Sequence, residues 1–372
     1  MTAETQRFPD VLKIAVLRGG GLGDLIFALP AVDALAEAYP EAEIVLLGTP
    51  MHRELLAERS GSIARVEVLP RARGVFGPDD ADDPRGTAGF FRRMAAEGFD
   101  LACQLHGGGR WSNPFLQRLG ARHTVGTRTP DALPLERSLP YLYYQHEVIR
   151  WLETVALAGA PSVGAEATLS VALHERMLGR KLAGDGGSGL VIIHPGATDP
   201  RRRWPAESFT ELAARLARDG MRVLLIGDGA DAPLADEIAE DAARLSGADV
   251  SSLAGRITLP ELAGLLSVAD VFVGNDSGPR HLAQATGTAT ASIFWFGNLI
   301  NGGPLTRRRH RVQLSWTTRC PVCDTDVTQV GWSAERCEHD DSFVADVPLE
   351  AVYADVRELI ASTATTVRLR GT

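Results

Sequence analysis

The chain has 372 residues, 45% hydrophobic and 23% charged, enough apolar material for more than one ordinary core and too much for a disordered chain. Its 38 basic and 47 acidic side chains leave a net charge of −9, which argues against bulk nucleic-acid binding, whose footprint is basic. Four cysteines, Cys103, Cys320, Cys323 and Cys337, are too few for a disulfide scaffold; with no apolar signal core at the N-terminus and no run of about 18 apolar residues, a cytoplasmic protein without a transmembrane segment is expected.

In chain order, Lys13–Leu17 (KIAVL) reads as a buried parallel strand that runs into glycines. Helical periodicity follows over residues 24–39, with Pro30 signalling a kink. Strands are expected at 44–47, 65–69 and 101–105, and a mobile loop over the Gly-, Pro- and Asp-rich stretch 71–89. The glycine-rich run at 183–189 reads as a linker. Alternation then restarts. Strands are expected at 190–193, 222–226, 271–274 and 291–296. Helices are expected at 206–218, 230–245, 259–267, from Pro279, and at 348–362. Strand–helix alternation of this kind predicts parallel α/β sheets. The expected organisation is an N-terminal domain over residues 1–183, a second over 184–346, and a C-terminal helix and tail, 347–372, packing back on the domains.

Ligands of open parallel sheets bind beyond the carboxyl ends of the strands, so the loops there are the places to look for chemistry. The first is Arg18-Gly19-Gly20-Gly21-Leu22-Gly23-Asp24. It lacks the third glycine of a dinucleotide fingerprint, and no acidic residue closes the second strand, which argues against a nicotinamide dehydrogenase. Asp24 reads either as a helix cap or as a functional carboxylate. The second loop is His194 to Pro205, with Thr198 and the arginines 201–203, an anion site or a solvated turn. The third is Gly274-Asn275-Asp276-Ser277-Gly278-Pro279-Arg280-His281, where a helix start offers free amides to a phosphate.

Taken together, GGGLGDLIFALPAVDAL, HPGATDPRRRWPAESF and GNDSGPRHLAQATG, in this order over about residues 12–300, resemble glycosyltransferase family 9, which includes the ADP-heptose:lipopolysaccharide heptosyltransferases. The resemblance implies a GT-B fold, two Rossmann-like α/β domains facing across a cleft. It implies inverting transfer from a nucleotide diphosphate sugar, with ADP-heptose the expected donor and a glycan or small-molecule hydroxyl the acceptor. No catalytic metal or other cofactor is implied, and peripheral membrane contact is compatible with it. Carried over by motif, Asp24 is the implied general base. Arg202 stands where the family has a basic residue, typically lysine, before Trp-Pro, and is implied to stabilise the leaving diphosphate. Gly23, Thr198, Asp276, Ser277, Gly278 and His281 are implied on the donor side, and His106 and Arg110 on the acceptor side. The strand around Ser292 runs into Phe296-Gly297-Asn298, where the family often has Gly-Pro-Thr. The competing readings are another nucleotide-sugar enzyme, such as an epimerase, and a catalytically idle nucleotide-sugar-binding protein.

Cys320-x2-Cys323 with Cys337-x-His339 offers four soft ligands at spacings compatible with a structural zinc; the alternatives are reduced thiols or a redox-sensitive disulfide. A zinc closed by four protein ligands has no catalytic position left.

Overall fold

The computed structural model describes residues 6–78, 83–184, 188–328 and 335–370, the side chains of 363–370 excepted. Its sheets are built from short apolar runs buried on both faces, as in Lys13–Leu17, which is how strands covered by helices on each side read. The chain divides into two units, residues 1–170 and 171–372.

The first unit contains β1 (Lys13–Leu17), α1 (Leu22–Ala38), β2 (Glu43–Gly48), α2 (Pro50–Leu56), β3 (Arg65–Val68), α3 (Pro84–Glu97), β4 (Leu101–Gln104), α4 (Ser112–Gln117), β5 (His123–Arg128), β6 (Arg137–Pro140) and α5 (Glu147–Ala156). Its six strands lie in the order β3-β2-β1-β4-β5-β6, and every pairing is parallel. Pro30 does not end α1, which continues as one 17-residue helix with Pro30 buried. The stretch expected as a loop at 71–89 ends early, because α3 starts at Pro84. Asp83 caps it, accepting from the Gly86 N–H, and Pro84 sits in its first turn. Residues 79–82 of that stretch lie outside those described.

The second unit contains α6 (Leu173–Ala183), β7 (Leu190–His194), α7 (Ala206–Arg218), β8 (Arg222–Leu225), α8 (Ala232–Ser246), β9 (Val250–Ser252), α9 (Leu259–Val268), β10 (Val271–Asn275), α10 (Gly278–Ala285), β11 (Ala289–Trp295), α11 (Phe296–Gly302), β12 (His310–Ser315) and α12 (Leu349–Arg370). Its sheet, β12-β11-β10-β7-β8-β9, repeats the topology of the first and is again parallel throughout.

The division falls between residues 170 and 171, ahead of the glycine-rich run, of which 185–187 lie outside the described residues. Helix α6 belongs to the second unit because it packs backbone to backbone on α9. A Cβ at Gly179 would stand 2.3 Å from the Gly264 carbonyl carbon, so both positions need glycine for that approach. Helix α12 sends Val352, Val356 and Leu359 into the core of the second unit. No helix among the described residues is long and apolar enough to cross a membrane.

The strand order reverses between β1 and β4 in the first sheet and between β7 and β10 in the second. Such switch points open a crevice beyond the strand ends. The loops after β1 and β4, and after β7 and β10, are the ones that carry the motifs.

Candidate active site

In the first unit the loop after β1 passes through Gly20 at φ +89°, the left-handed region. A Cβ there would meet Asp24 Oδ2 at 2.4 Å, so the turn requires glycine and keeps the carboxylate against the backbone. Asp24 lies in the first turn of α1, beside Gly23. Its Oδ2 accepts from the Gly21 N–H at 2.8 Å, and its Oδ1 accepts from Arg18 Nη2 at 2.6 Å. The carboxylate thus caps the helix, yet its side chain is 46% exposed, which leaves lone pairs open to a substrate.

Arg18, unrecognised in the sequence reading as a site residue, is the device that aims it. Its guanidinium is buried, donates through Nη1 to the Leu105 carbonyl at 2.7 Å and through Nε to the Asp24 carbonyl at 2.8 Å, and lies 4.9 Å over the Trp151 ring. Glu147 on α5 is a second counter-charge, 3.4 Å away. Burial lowers the Arg18 pKa, and Asp24 opposes that shift.

His52 braces the same turn. The Thr49 N–H lies 3.2 Å from its Nδ1, which fixes the hydrogen on Nε2, 3.2 Å from the Gly21 carbonyl. Burial holds the His52 pKa at about 4, so the ring is neutral and one nitrogen remains a donor. His106 follows β4 and packs on the glycine loop; its ring would lie 3.1 Å from a Cβ at Gly19. Burial and then the Arg18 charge hold its pKa at about 4 as well. Asp24 and His106 therefore border one loop. Arg110 is exposed, 3.6 Å from Asp131 and 5.3 Å over Trp111.

In the second unit Asn275, the last residue of β10, pins the loop after β7. It accepts from the Trp204 N–H at 3.0 Å and donates to the Pro195 carbonyl at 2.8 Å. The three arginines of that loop separate in role. Arg201 pairs with Asp199 at 2.6 Å, Arg203 donates to the Ala197 carbonyl at 2.9 Å, and Arg202 Nη1 reaches Asp276 Oδ2 at 3.2 Å. Thr198 is exposed on the loop.

Asp276 is buried and takes three donors. His281 Nε2 lies 3.1 Å from Oδ1, while Arg202 and Asn298 Nδ2, the latter at 2.8 Å, share Oδ2. Burial alone would raise its pKa; the His281 hydrogen bond and the charges of Arg202 and Arg280 outweigh that and leave it below the ordinary carboxylate value. Arg280, buried and drawn down to about 10 by burial, donates to His281 Nδ1 at 2.9 Å, so the hydrogen of His281 sits on Nε2, facing Asp276. Asp276 is consequently a fixed anion that holds Arg202, Asn298 and His281 in place. Ser277 immediately precedes α10 and Gly278 begins it, where backbone N–H groups and the helix dipole favour a negatively charged ligand. Asn298 went unassigned in the sequence; the departure at 296–298 was its signal.

The Cys320, Cys323, Cys337 and His339 ligand atoms all lie within 4.8 Å of one another. Phe343 packs beside Cys320. It also anchors the arginine loop, since its N–H donates to the Arg201 carbonyl at 2.7 Å, and Ser342 Oγ donates to the Arg203 carbonyl at 2.6 Å.

A family model described as glycosyltransferase family 9 (heptosyltransferase) matches residues 88–326, well over half of the chain. The chain is 26% identical over 285 residues to lipopolysaccharide heptosyltransferase 3 of Escherichia coli K12, covering 73% of this chain and 79% of that protein. It is 32% identical over 302 residues to lipooligosaccharide heptosyltransferase 2 of Haemophilus influenzae, covering 76% and 83%. Among solved structures, the E. coli ADP-heptose lipopolysaccharide heptosyltransferase II aligns with TM-score 0.74 and 18% identity over 95% of this chain and 100% of that one. At that identity the likeness is one of fold.

Proposed function

The chain belongs to glycosyltransferase family 9 and is a glycosyltransferase; on that premise we propose that it moves a heptose from ADP-heptose to a hydroxyl of a lipopolysaccharide-type glycan, with inversion at the anomeric carbon. The observation that carries the reading is the junction of Arg202 with Asp276 and His281 at the start of α10. Residues 74 positions apart in sequence meet there and hold the Arg202 guanidinium beside the free amides of the helix start, a set of donors suited to a diphosphate. As the sugar leaves, its bonding pair stays on the β-phosphate oxygen. The Arg202 charge and the α10 amides stabilise that oxygen without a metal. Asp24 takes the proton of the attacking hydroxyl as general base. Arg18 and the Gly21 N–H hold the carboxylate in one orientation, so its remaining lone pairs face the acceptor.

The test is transfer itself. The protein, ADP-heptose and a heptose-deficient lipopolysaccharide acceptor should release ADP and extend the glycan by one heptose of inverted anomeric configuration. Under the same conditions other nucleotide sugars should serve poorly. Interconversion of the free ADP-sugar without acceptor would support an epimerase, and binding without turnover an idle protein.

The Cys320, Cys323, Cys337 and His339 cluster supports a structural zinc. Tetrahedral Zn–S bonds of about 2.3 Å place ligand atoms about 3.8 Å apart; Cys320 Sγ and His339 Nδ1 already stand 3.7 Å apart, and every pair in the cluster lies within 4.8 Å. Protein purified without chelator should carry about one zinc per chain, the stoichiometry of a closed four-ligand site. Iron in its place would keep the site and change its metal. Stripping the metal should loosen the Phe343 anchor, destabilising the second unit and weakening nucleotide binding through the 201–203 loop. Absence of metal, with an unchanged melting temperature in a Cys320→Ser, Cys323→Ser variant, would remove the site.

A further inference from the structure

Asp231 immediately precedes α8 and Ser277 immediately precedes α10. Aspartate and serine lead the preferences for that capping position, yet neither side chain accepts a hydrogen bond from its own helix. Asp228 closes the turn before α8 instead, accepting from the N–H groups of Ala230 and Asp231. Both capping residues turn to one buried imidazole. His194 Nε2 lies 3.1 Å from Asp231 Oδ2, and Nδ1 lies 3.0 Å from Ser277 Oγ. Two glycines leave room for the carboxylate. A Cβ at Gly196 would stand 2.3 Å from Asp231 Oδ1, and one at Gly227 would stand 2.5 Å from Asp231 Cβ.

The hydrogen-bond directions follow from the donor inventory. The Asp231 carboxylate, held below its ordinary pKa by the His194 hydrogen bond, only accepts, so Nε2 carries a hydrogen. In the neutral ring Nδ1 then accepts the Ser277 hydroxyl proton, which points away from the mouth of α10. In the imidazolium Nδ1 donates instead, and the Ser277 proton is released to turn outward to an anion at the helix start.

We propose that Asp231, His194 and Ser277 form a relay in which binding of the donor's diphosphate draws a proton from solvent onto His194, so that the Ser277 hydroxyl donates to the leaving phosphate oxygen. This rests on the reading that the donor diphosphate binds at the start of α10. When the anomeric carbon–oxygen bond breaks, its electron pair stays on that phosphate oxygen; the Ser277 hydrogen bond strengthens and no proton has to be transferred. Ser277 touches the substrate, while His194 and Asp231 are positioning residues. Among the described residues, the other titratable or charged groups around the relay include Asp228 on the loop before α8, Arg203 and Arg202 on the loop after β7, the latter paired with Asp276, and Asp276, Arg280 and His281 at the start of α10. Arg203 is near enough to lower the Asp231 pKa.

The test is calorimetric titration of the full-length protein with ADP-heptose, without acceptor, at pH 7.5 in two buffers of different ionisation enthalpy. The phosphates of a nucleotide sugar are diesters and do not titrate there, so a buffer-dependent heat reports the protein. The expected result is uptake of about one proton per ligand bound, the count for a single linked group. His194→Gln should abolish the uptake while still binding, His281→Gln should retain it, and Asp231→Asn should reduce it. Binding without uptake in the wild type, or uptake that survives His194→Gln, overturns the relay and leaves the donor reading standing. No binding of ADP-heptose or ADP overturns the donor reading and the relay with it. If His194→Gln does not fold, the wild-type uptake and its fall in Asp231→Asn decide the matter.

Discussion

Asp24→Asn is expected to bind the nucleotide donor as the wild type does and to turn over about 10²–10⁴-fold more slowly, the range for a removed general base. The amide is isosteric and its oxygen can still accept the Gly21 N–H, so the first turn of α1 keeps its cap, while the NH2 that replaces Oδ1 faces Arg18 Nη2 donor to donor and that hydrogen bond is lost. Arg18 loses one counter-charge but retains Glu147, 3.4 Å away, and its two carbonyl partners, so its buried charge is not left unpaired. The fold should therefore survive with a modestly lower melting temperature, the cost of the lost Arg18 hydrogen bond, and a single cooperative unfolding transition in the variant would establish that. Initial rates of ADP release with saturating acceptor then isolate the chemical step. Turnover within a few-fold of the wild type would assign Asp24 to capping and leave the transferase without a base in this loop.

The strands at the sheet centres were legible because they are continuous apolar runs. Lys13–Leu17 is predicted and observed with the same limits, and β7 and β10 differ from expectation by one residue. The strands that escaped prediction lie toward the sheet edges, where burial no longer marks them. β5 (HTVGTR) has a single large apolar residue, β6 (RSLP) ends in proline, β9 has three residues, and β12 (HRVQLS) alternates polar with apolar residues. Helix α6 hid for a different reason. Its sequence is weakly apolar, and what docks it is the close approach of Gly179 to Gly264, a tertiary fact with no local signature.

The site motifs were legible because each combines a strand end, a glycine or proline turn and a helix start. The supporting residues were not. Arg18 reads only as the first residue of the glycine loop, and only the fold shows that its guanidinium is buried against Trp151 and aimed at Asp24. His52 lies 28 residues beyond Asp24 in the chain and reaches the Gly21 carbonyl only because α2 packs beside the first loop. Asp276 carried a visible motif that put it on the donor side, but nothing in the spacing showed that its two oxygens hold His281, Arg202 and Asn298. Such partnerships depend on tertiary distances that spacing along the chain does not encode.

Arg202→Ala should weaken ADP binding by about 10–100-fold, the loss expected when one or two charge-assisted hydrogen bonds to phosphate disappear. Adenosine binding should change by no more than a few-fold, because the nucleoside offers the arginine no anion. The contrast between the two ligands separates a phosphate contact from a collapse of the loop. Collapse is not expected, since Asn275 holds the loop through Trp204 and Pro195, and Phe343 holds it through Arg201. Asp276 keeps His281 and Asn298 as partners in the variant, so removing the guanidinium does not strand its charge. Arg202→Lys should recover part of the affinity, because an ammonium supplies the charge but not the planar fork. Titration calorimetry of the three proteins with ADP and with adenosine gives the comparison. Equal losses for both ligands in Arg202→Ala would show that the arginine shapes the loop and does not meet the diphosphate.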